Sequence, residues 1–184
     1  MADLTLTAKS ALDGFRLEAE GARLVEITGY ALVSIAGLSD ELRSTLMEKR
    51  DLELPATGRA TFNAVRQMTL MSVARDQWFL RLPENAGALD GLDDVAALTD
   101  QSDSWVQIEL AGPAARDTLE RLLPIDIHPA AFPEGTVARS VIEHLGVIVL
   151  RQPSEEDSFL LLSPRSSAKS FLHALTGSPP FTPA

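Results

Sequence analysis

The sequence predicts an α+β protein built from two pseudo-symmetric strand–helix–hairpin–helix units with mainly antiparallel sheets. Three observations carry that prediction. The first is an internal repeat: "YALVSIAGLSDELRSTLMEKRDLELP" from Tyr30 is matched by "WVQIELAGPAARDTLERLLPIDIHP" from Trp105. An aromatic opens each copy, Ala36-Gly37 matches Ala111-Gly112 at an offset of 75 residues, and Asp51 and Asp126 each fall 14 residues after the glycine. The second is alternation, since Val106, Ile108 and Leu110 interleave with Gln107 and Glu109 at the period of a strand. The third is a pair of apolar runs, Leu145–Leu150 and Phe159–Leu162, separated by the polar "RQPSEEDS" in the manner of a hairpin.

Each element follows from local chemistry. In the first unit, Ser39 is an N-cap with Asp40 and Glu41 at the positive helix end, and Lys49-Arg50 sit at the other. "MTLMSVARDQWFLRLPENAGALDGL" then reads as a hairpin and a closing helix, in line with the second copy. In the second unit, Pro113 suits the first helical position, where its missing N–H would be unpaired anyway. Ala115, Leu119, Leu122 and Leu123 make one helix stripe that Pro124 ends. The last helix runs from about Ser166 to Leu175 and stops at Gly177.

These boundaries predict a single two-lobed domain over 1–177, with repeat units at about 22–92 and 98–176 and an extended tail over 178–184. The connector "DGLDDVAALTDQSD" holds five acids and no base, which reads as a solvated linker or a docking patch for a basic partner.

The bulk composition excludes several function classes. The chain has 184 residues, 45% hydrophobic and 23% charged, which suits one compact domain with a real core. A formal net charge of −10 disfavours nucleic acid as a ligand. No apolar run approaches the roughly 20 residues of a membrane span. "MADLTLTAKSALDGF" has no basic segment followed by an apolar core, so a cytoplasmic location is expected. Without cysteine there is no disulfide, thiolate site or Cys nucleophile. His128, His144 and His173 have no metal-ligand spacing.

The candidate functional residues are few. Gly112-Pro113 at a helix start is an anion-binding geometry or a fold corner, and Gly37 repeats it in the other half, which favours the corner. Arg139, Arg151 and Arg165 suit carboxylates on a partner chain or local acids. Trp78 and Trp105 read as core or interface anchors. Phe132, Phe171 and Phe181 are candidates for apolar surface that a partner would cover; the alternative is that Phe171 packs inward on its helix and the tail is disordered.

"LTDQSDSWVQIELAGPAARDTLERLLPIDI" resembles the glycine-cleavage T-protein superfamily of folate-binding aminomethyltransferases. With "TVARSVIEHLGVIVLRQPSEEDSFLLLSPRSSAKSFLHAL", the chain is most similar to the gamma-subunit family of heterotetrameric sarcosine oxidases, over about Tyr30 to Leu175. That resemblance implies the aminomethyltransferase fold and partner alpha, beta and delta subunits. It places NAD and tetrahydrofolate on alpha, the flavins FAD and FMN on beta and zinc on delta, with no cofactor in this chain. It implies that Asp126 matches the aspartate that helps hold folate in the superfamily. The neighbours of Asp126 (Ile125, Ile127, His128 and Pro129) lack the polar and aromatic surroundings of the active enzymes, so a stabilising role stands beside folate contact. A noncatalytic structural subunit and a stand-alone folate-dependent protein using Asp126 are the two readings that result.

Overall fold

The computed structural model describes residues 9–182 apart from 38, 87, 88 and 90. The chain begins with a short hairpin, β1 (Arg16–Ala19) and β2 (Ala22–Glu26). The first unit follows as β3 (Tyr30–Ala36), α1 (Asp40–Arg50), β4 (Ala60–Asn63), β5 (Met68–Ala74) and β6 (Gln77–Pro83). After β7 (Ala97–Asp100) the second unit runs β8 (Trp105–Ala111), α2 (Ala115–Glu120), β9 (Val137–Ile142), β10 (Leu145–Arg151), β11 (Ser158–Pro164) and α3 (Ala168–Thr176).

Two antiparallel sheets result, in the orders β1-β2-β8-β11-β10-β9 and β4-β5-β6-β3-β7. Their cores correspond strand for strand: β3 with β8, β4 with β9, β5 with β10, β6 with β11. The two units also interlock. β2 leads into β3 yet pairs with β8, with Arg23 opposite Ala111. β7 leads into β8 yet pairs with β3, with Ala97 opposite Ala36. Each half therefore completes the other's sheet, and neither sheet is contiguous in sequence.

The layers are helix, sheet, sheet, helix. On the outer face of the five-stranded sheet, Val33, Ile35, Leu70, Trp78 and Leu80 pack with Leu42 and Leu46 of α1. On the outer face of the six-stranded sheet, Val106, Ile108, Leu110, Val149 and Leu161 pack with Leu119 of α2 and Phe171 of α3. Between the sheets lie Leu32, Met71 and Phe79 against Ile148, Leu150, Leu160 and Leu162. β10 and β11 are thus buried on both faces, which is why they read as unbroken apolar runs rather than alternating ones.

The N-cap expectation holds. The Ser39 side chain accepts from the Leu42 N–H at 3.0 Å, with Asp40 and Glu41 in the first turn. Asp51 ends α1 in the left-handed region at φ 54°, a conformation that aspartate tolerates better than most residues.

Several boundaries differ from expectation. Helix α2 opens at Ala115 behind an Ala114 cap, not at Pro113: the first bond of helical span runs from the Thr118 N–H to Ala114 O at 3.1 Å, and the Ala114 N–H is donated across to Gly21 O at 2.8 Å. Its stripe continues past Glu120 only as turns, with Leu123 N–H bonded to Leu119 O. Among the described residues, the first unit has turns where the second has α3. "ENAGALDGL" carries asparagine, two glycines and aspartate, all poor helix formers. Four residues of the acidic connector, Ala97–Asp100, are strand β7 rather than linker, held by pairing to β3. The tail is not extended up to residue 182. Phe181 N–H bonds to Ser178 O, Thr118 Oγ1 donates to Pro179 O, and Phe181 packs on the core beneath α3; residues 183–184 lie outside the described set.

Candidate functional site

The corner at Gly112 is closed. Gly112 sits at φ +119°, and a Cβ there would meet Gly21 O at 2.5 Å, so the β1–β2 turn occupies the space before α2. The Gly112 N–H is bonded to Asp157 O and the Ala114 N–H to Gly21 O. Donors already spent on the chain leave no nest for an anion, and the helix that follows is six residues long. Fold corner is the outcome.

Asp126 lies in the loop between α2 and β9, exposed, with Oδ1 accepting from the His128 N–H at 2.9 Å. Such a side chain-to-backbone bond two residues ahead is a turn-forming interaction. The neighbouring Ile127 is buried, and its carbonyl accepts from Arg116 Nη1. The loop is thereby fixed from both sides.

Arg116 belongs to a buried charge cluster that sequence reasoning missed. Its Nε and Nη2 grip Asp157 in a two-pronged contact at 3.0 and 2.7 Å, and Arg151 Nη2 reaches the same carboxylate at 3.0 Å. Both guanidinium carbons lie 5.2–5.3 Å from the Phe159 ring centroid. Arg151 Nη1 also donates to the carbonyls of Gln152 and Ser158. Arg151 is therefore spent inside the chain: of the two expected partners it takes the local acid, because Asp157 and the hairpin carbonyls enclose it. No local pattern signals this: Arg116 and Asp157 are 41 residues apart.

A second polar junction ties the sheets together. Arg81 on β6 donates from Nε to Gln107 Oε1 on β8 at 2.8 Å, and Gln107 donates in turn to Tyr30 O at 3.2 Å. The Arg81 guanidinium lies 3.5 Å from the Tyr30 ring centroid, a cation–π contact. Burial lowers the Arg81 pKa from its ordinary value, with Tyr30 and Glu109 opposing the shift. Beside it, Glu26, Tyr30, Ser102, Gln107 and Arg165 line a cleft of about 270 Å³. Glu26 is occupied there, accepting from Ser10 Oγ and the Leu12 and Gly14 N–H groups. Asp100 accepts from Ser102 Oγ at 2.6 Å and Ser102 N–H at 2.9 Å, which together hold its pKa below the ordinary value.

The remaining candidates divide. Arg139 is exposed on β9, its Nε donating to Val73 O at 2.8 Å. Val73 is the bulged residue of β5, and its carbonyl is turned out of the ladder. Arg165 donates to Lys9 O and lies 3.9 Å from Asp103. Phe132 and Phe171 are 4% and 0% exposed in the core under α2 and α3, so they offer no apolar surface to a partner. Phe181 is half-buried on the same core. Trp78 is buried under α1 with Nε1 donating to Pro55 O, and Trp105 stacks edge-on against Phe79 across the sheets at 5.6 Å. Among the described residues, no three His, Cys, Asp or Glu side chains cluster as a metal site. No helix among the described residues is long and apolar enough to cross a membrane.

No family model and no curated protein matches the chain. Solved structures do. The chain is similar to a chain of the heterotetrameric sarcosine oxidase from Corynebacterium sp. U-96 in complex with pyrrole 2-carboxylate, with 19% identity, a TM-score of 0.78, and coverage of 91% of this chain and 92% of that one. It is also similar to the glycine cleavage system aminomethyltransferase T from Bartonella henselae, with 16% identity, a TM-score of 0.57, and coverage of 85% of this chain but 46% of that one. The fold is the aminomethyltransferase-like one, and the sequence resemblance to these two groups is matched at the level of fold.

Proposed function

We propose that this chain is the noncatalytic gamma-type structural subunit of a heterotetrameric flavin-dependent sarcosine oxidase. One observation carries the reading. The chain and a chain of a heterotetrameric sarcosine oxidase cover each other almost end to end, whereas the chain spans less than half of aminomethyltransferase T. A protein that matches an oligomer's chain at full length fits a whole subunit of such an assembly. The internal use of Arg116, Arg151, Glu26 and Gln107 supports a scaffolding role, since these polar groups fasten the chain to itself.

In this reading alpha, beta and delta partners carry FAD, FMN, NAD, tetrahydrofolate and zinc. The assembly oxidises sarcosine with dioxygen to glycine and hydrogen peroxide and passes the one-carbon unit to tetrahydrofolate. The isolated chain turns over nothing. Coexpression with the source organism's flavin-bearing oxidase chains is the test: the complex is expected to co-purify, and a chain that stays alone is no such subunit. Asp126→Asn in the complex is expected to leave the turnover number unchanged. A hundredfold loss with assembly intact, or tetrahydrofolate binding by the isolated chain that this variant abolishes, would replace the reading with a folate-dependent one built on Asp126.

A further inference from the structure

The inner face of the six-stranded sheet is not wholly covered by the other sheet. Toward the β9–β10 turn it ends in an apolar hollow of about 260 Å³, lined by Trp105, Arg139, Gly146, Ile148 and Pro164. The register explains the hollow. Pro164 pairs with Trp105 across β11 and β8, and Gly146 pairs with Val141 across β10 and β9. A glycine in that row leaves a gap where any other residue would supply a side chain. A Cβ on Gly146 would meet nothing within 4 Å, and its backbone is not in the left-handed region, so the position does not require glycine for its fold. Val141 beside it is 43% exposed, one of the few large apolar side chains left open on the described surface.

Arg139 supplies a charge at the rim. Only its Nε is engaged, on Val73 O, and that bond fixes the plane of the guanidinium. Its two terminal nitrogens make no hydrogen bond or ion pair among the described residues. An oriented guanidinium beside an apolar hollow is complementary to a bulky aliphatic or aromatic side chain with a carboxylate next to it. The volume suits one or two side chains rather than a cofactor.

We infer that this hollow is a docking site for a partner subunit, taking an apolar side chain over Gly146 while Arg139 pairs with a carboxylate of the same partner segment. The inference rests on the structural-subunit reading and adds to it where the partner binds. An apolar anchor in a pocket beside an oriented arginine is the usual composition of an interface hot spot.

The test uses the full chain coexpressed with the source organism's flavin-bearing oxidase chains, read by tag capture and sedimentation. Gly146→Leu fills the hollow, and Arg139→Glu reverses the rim charge. Each is expected to lower recovery of the complex about tenfold or more, while Val65→Asp, 95% exposed on the β4–β5 turn, leaves it unchanged. Arg139→Glu keeps the inference testable if Gly146→Leu melts below the parent. If the parent assembles and both variants assemble equally well, the docking site is wrong and the subunit reading stands. If the parent itself fails to assemble, the subunit reading falls and takes this inference with it. Two other outcomes overturn the inference alone: self-association of the parent that Gly146→Leu abolishes, and saturable isovalerate binding, seen as Trp105 quenching, with assembly unaffected by either variant.

Discussion

The corners at Gly37 and Gly112 have nearly the same backbone, with φ of +112° and +119°, and the same partner in kind. The Gly37 N–H bonds to Asp76 O, and the Gly112 N–H bonds to Asp157 O, the residue ahead of the matching strand. Around that shared frame the two differ. A Cβ on Gly37 would meet nothing within 4 Å, whereas one on Gly112 would meet Gly21 O at 2.5 Å and Ala22 Cα at 3.2 Å. The cause is the β1–β2 hairpin, which lies only on the second corner. Duplication preserved the backbone geometry, and an unrepeated piece of chain decided which copy is packed.

That difference gives the largest expected effect. Alanine at either glycine forces a side chain into a positive-φ conformation, at roughly 1–3 kcal/mol. At Gly112 the collision with backbone adds about 1–3 kcal/mol, because the Gly21 carbonyl is not the end of a flexible side chain. Gly112→Ala is therefore expected to lose about 2–6 kcal/mol in urea unfolding and Gly37→Ala about 1–3. Equal losses would mean that the hairpin does not close the second corner.

The same contrast shows what was legible in the sequence. The repeat, both corners, the Ser39 cap and the β10–β11 hairpin are local patterns, and local patterns survive in a string of letters. The exchange of β2 and β7 between sheets is a pairing between distant segments, with Val25 opposite Glu109 for example, and nothing near either residue encodes it. The burial of Phe132 and Phe171 depends on helices closing over the outer face; inward packing of Phe171 follows from its helix, whereas Phe132 lies in a loop with no local pattern to signal burial. Arg116 was invisible as a site residue because its partner comes from the β10–β11 turn. Asp126 was conspicuous by spacing, but spacing reports the repeat and not the chemistry of the loop.

Asp76 and Asp157 sharpen the comparison at the level of side chains. Their carbonyls serve equivalent glycines, but among the described residues the Asp76 carboxylate is paired only with Arg75, itself 94% exposed, at 3.6 Å. Asp157 neutralises two buried arginines. Removing one member of a buried pair costs about 3–5 kcal/mol, and the partial exposure of Asp157 lowers that to about 2–4. Asp157→Asn is expected to destabilise by that amount, and Asp76→Asn by less than about 0.5 kcal/mol. Comparable losses in paired thermal melts would show that the arginine cluster contributes nothing specific to the second unit.

Asp51 and Asp126 hold matching sequence positions for different physical reasons. Asp51 acts mainly through its backbone, ending α1 at φ 54°, where glycine is the less strained residue, and its carboxylate accepts only a long bond from Asn63 Nδ2 at 3.5 Å. Asp126 acts through its carboxylate, bonded to the His128 N–H. Asp51→Gly is expected to be neutral or to stabilise by about 0.5–1 kcal/mol. Asp126→Ala is expected to cost about 0.5–1 kcal/mol, and Asp126→Asn almost nothing, since the amide oxygen still accepts. A stabilising Asp126→Gly would put that residue's role in the backbone as well.

The two crossing links, β2 to β3 and β7 to β8, differ in how they are anchored, and pH separates them. Glu26 fastens the first by accepting from residues 10–14, while Asp100 fastens the second through Ser102, whose Oγ accepts from the Leu32 N–H. The Ser102 side-chain bond, then its backbone N–H, depresses the Asp100 pKa. A carboxyl with a depressed folded-state pKa contributes stability that is fully present above the unfolded-state value and lost as pH falls through the folded one. Asp100 is largely exposed, so the contribution is about 0.5 kcal/mol or less. The gap in stability between the parent and Asp100→Asn is therefore expected to be constant at neutral pH and to close only below the ordinary aspartate range. A gap that persists unchanged into strong acid would mean that Ser102 is held by hydrogen-bond geometry alone, with no part played by the charge on Asp100.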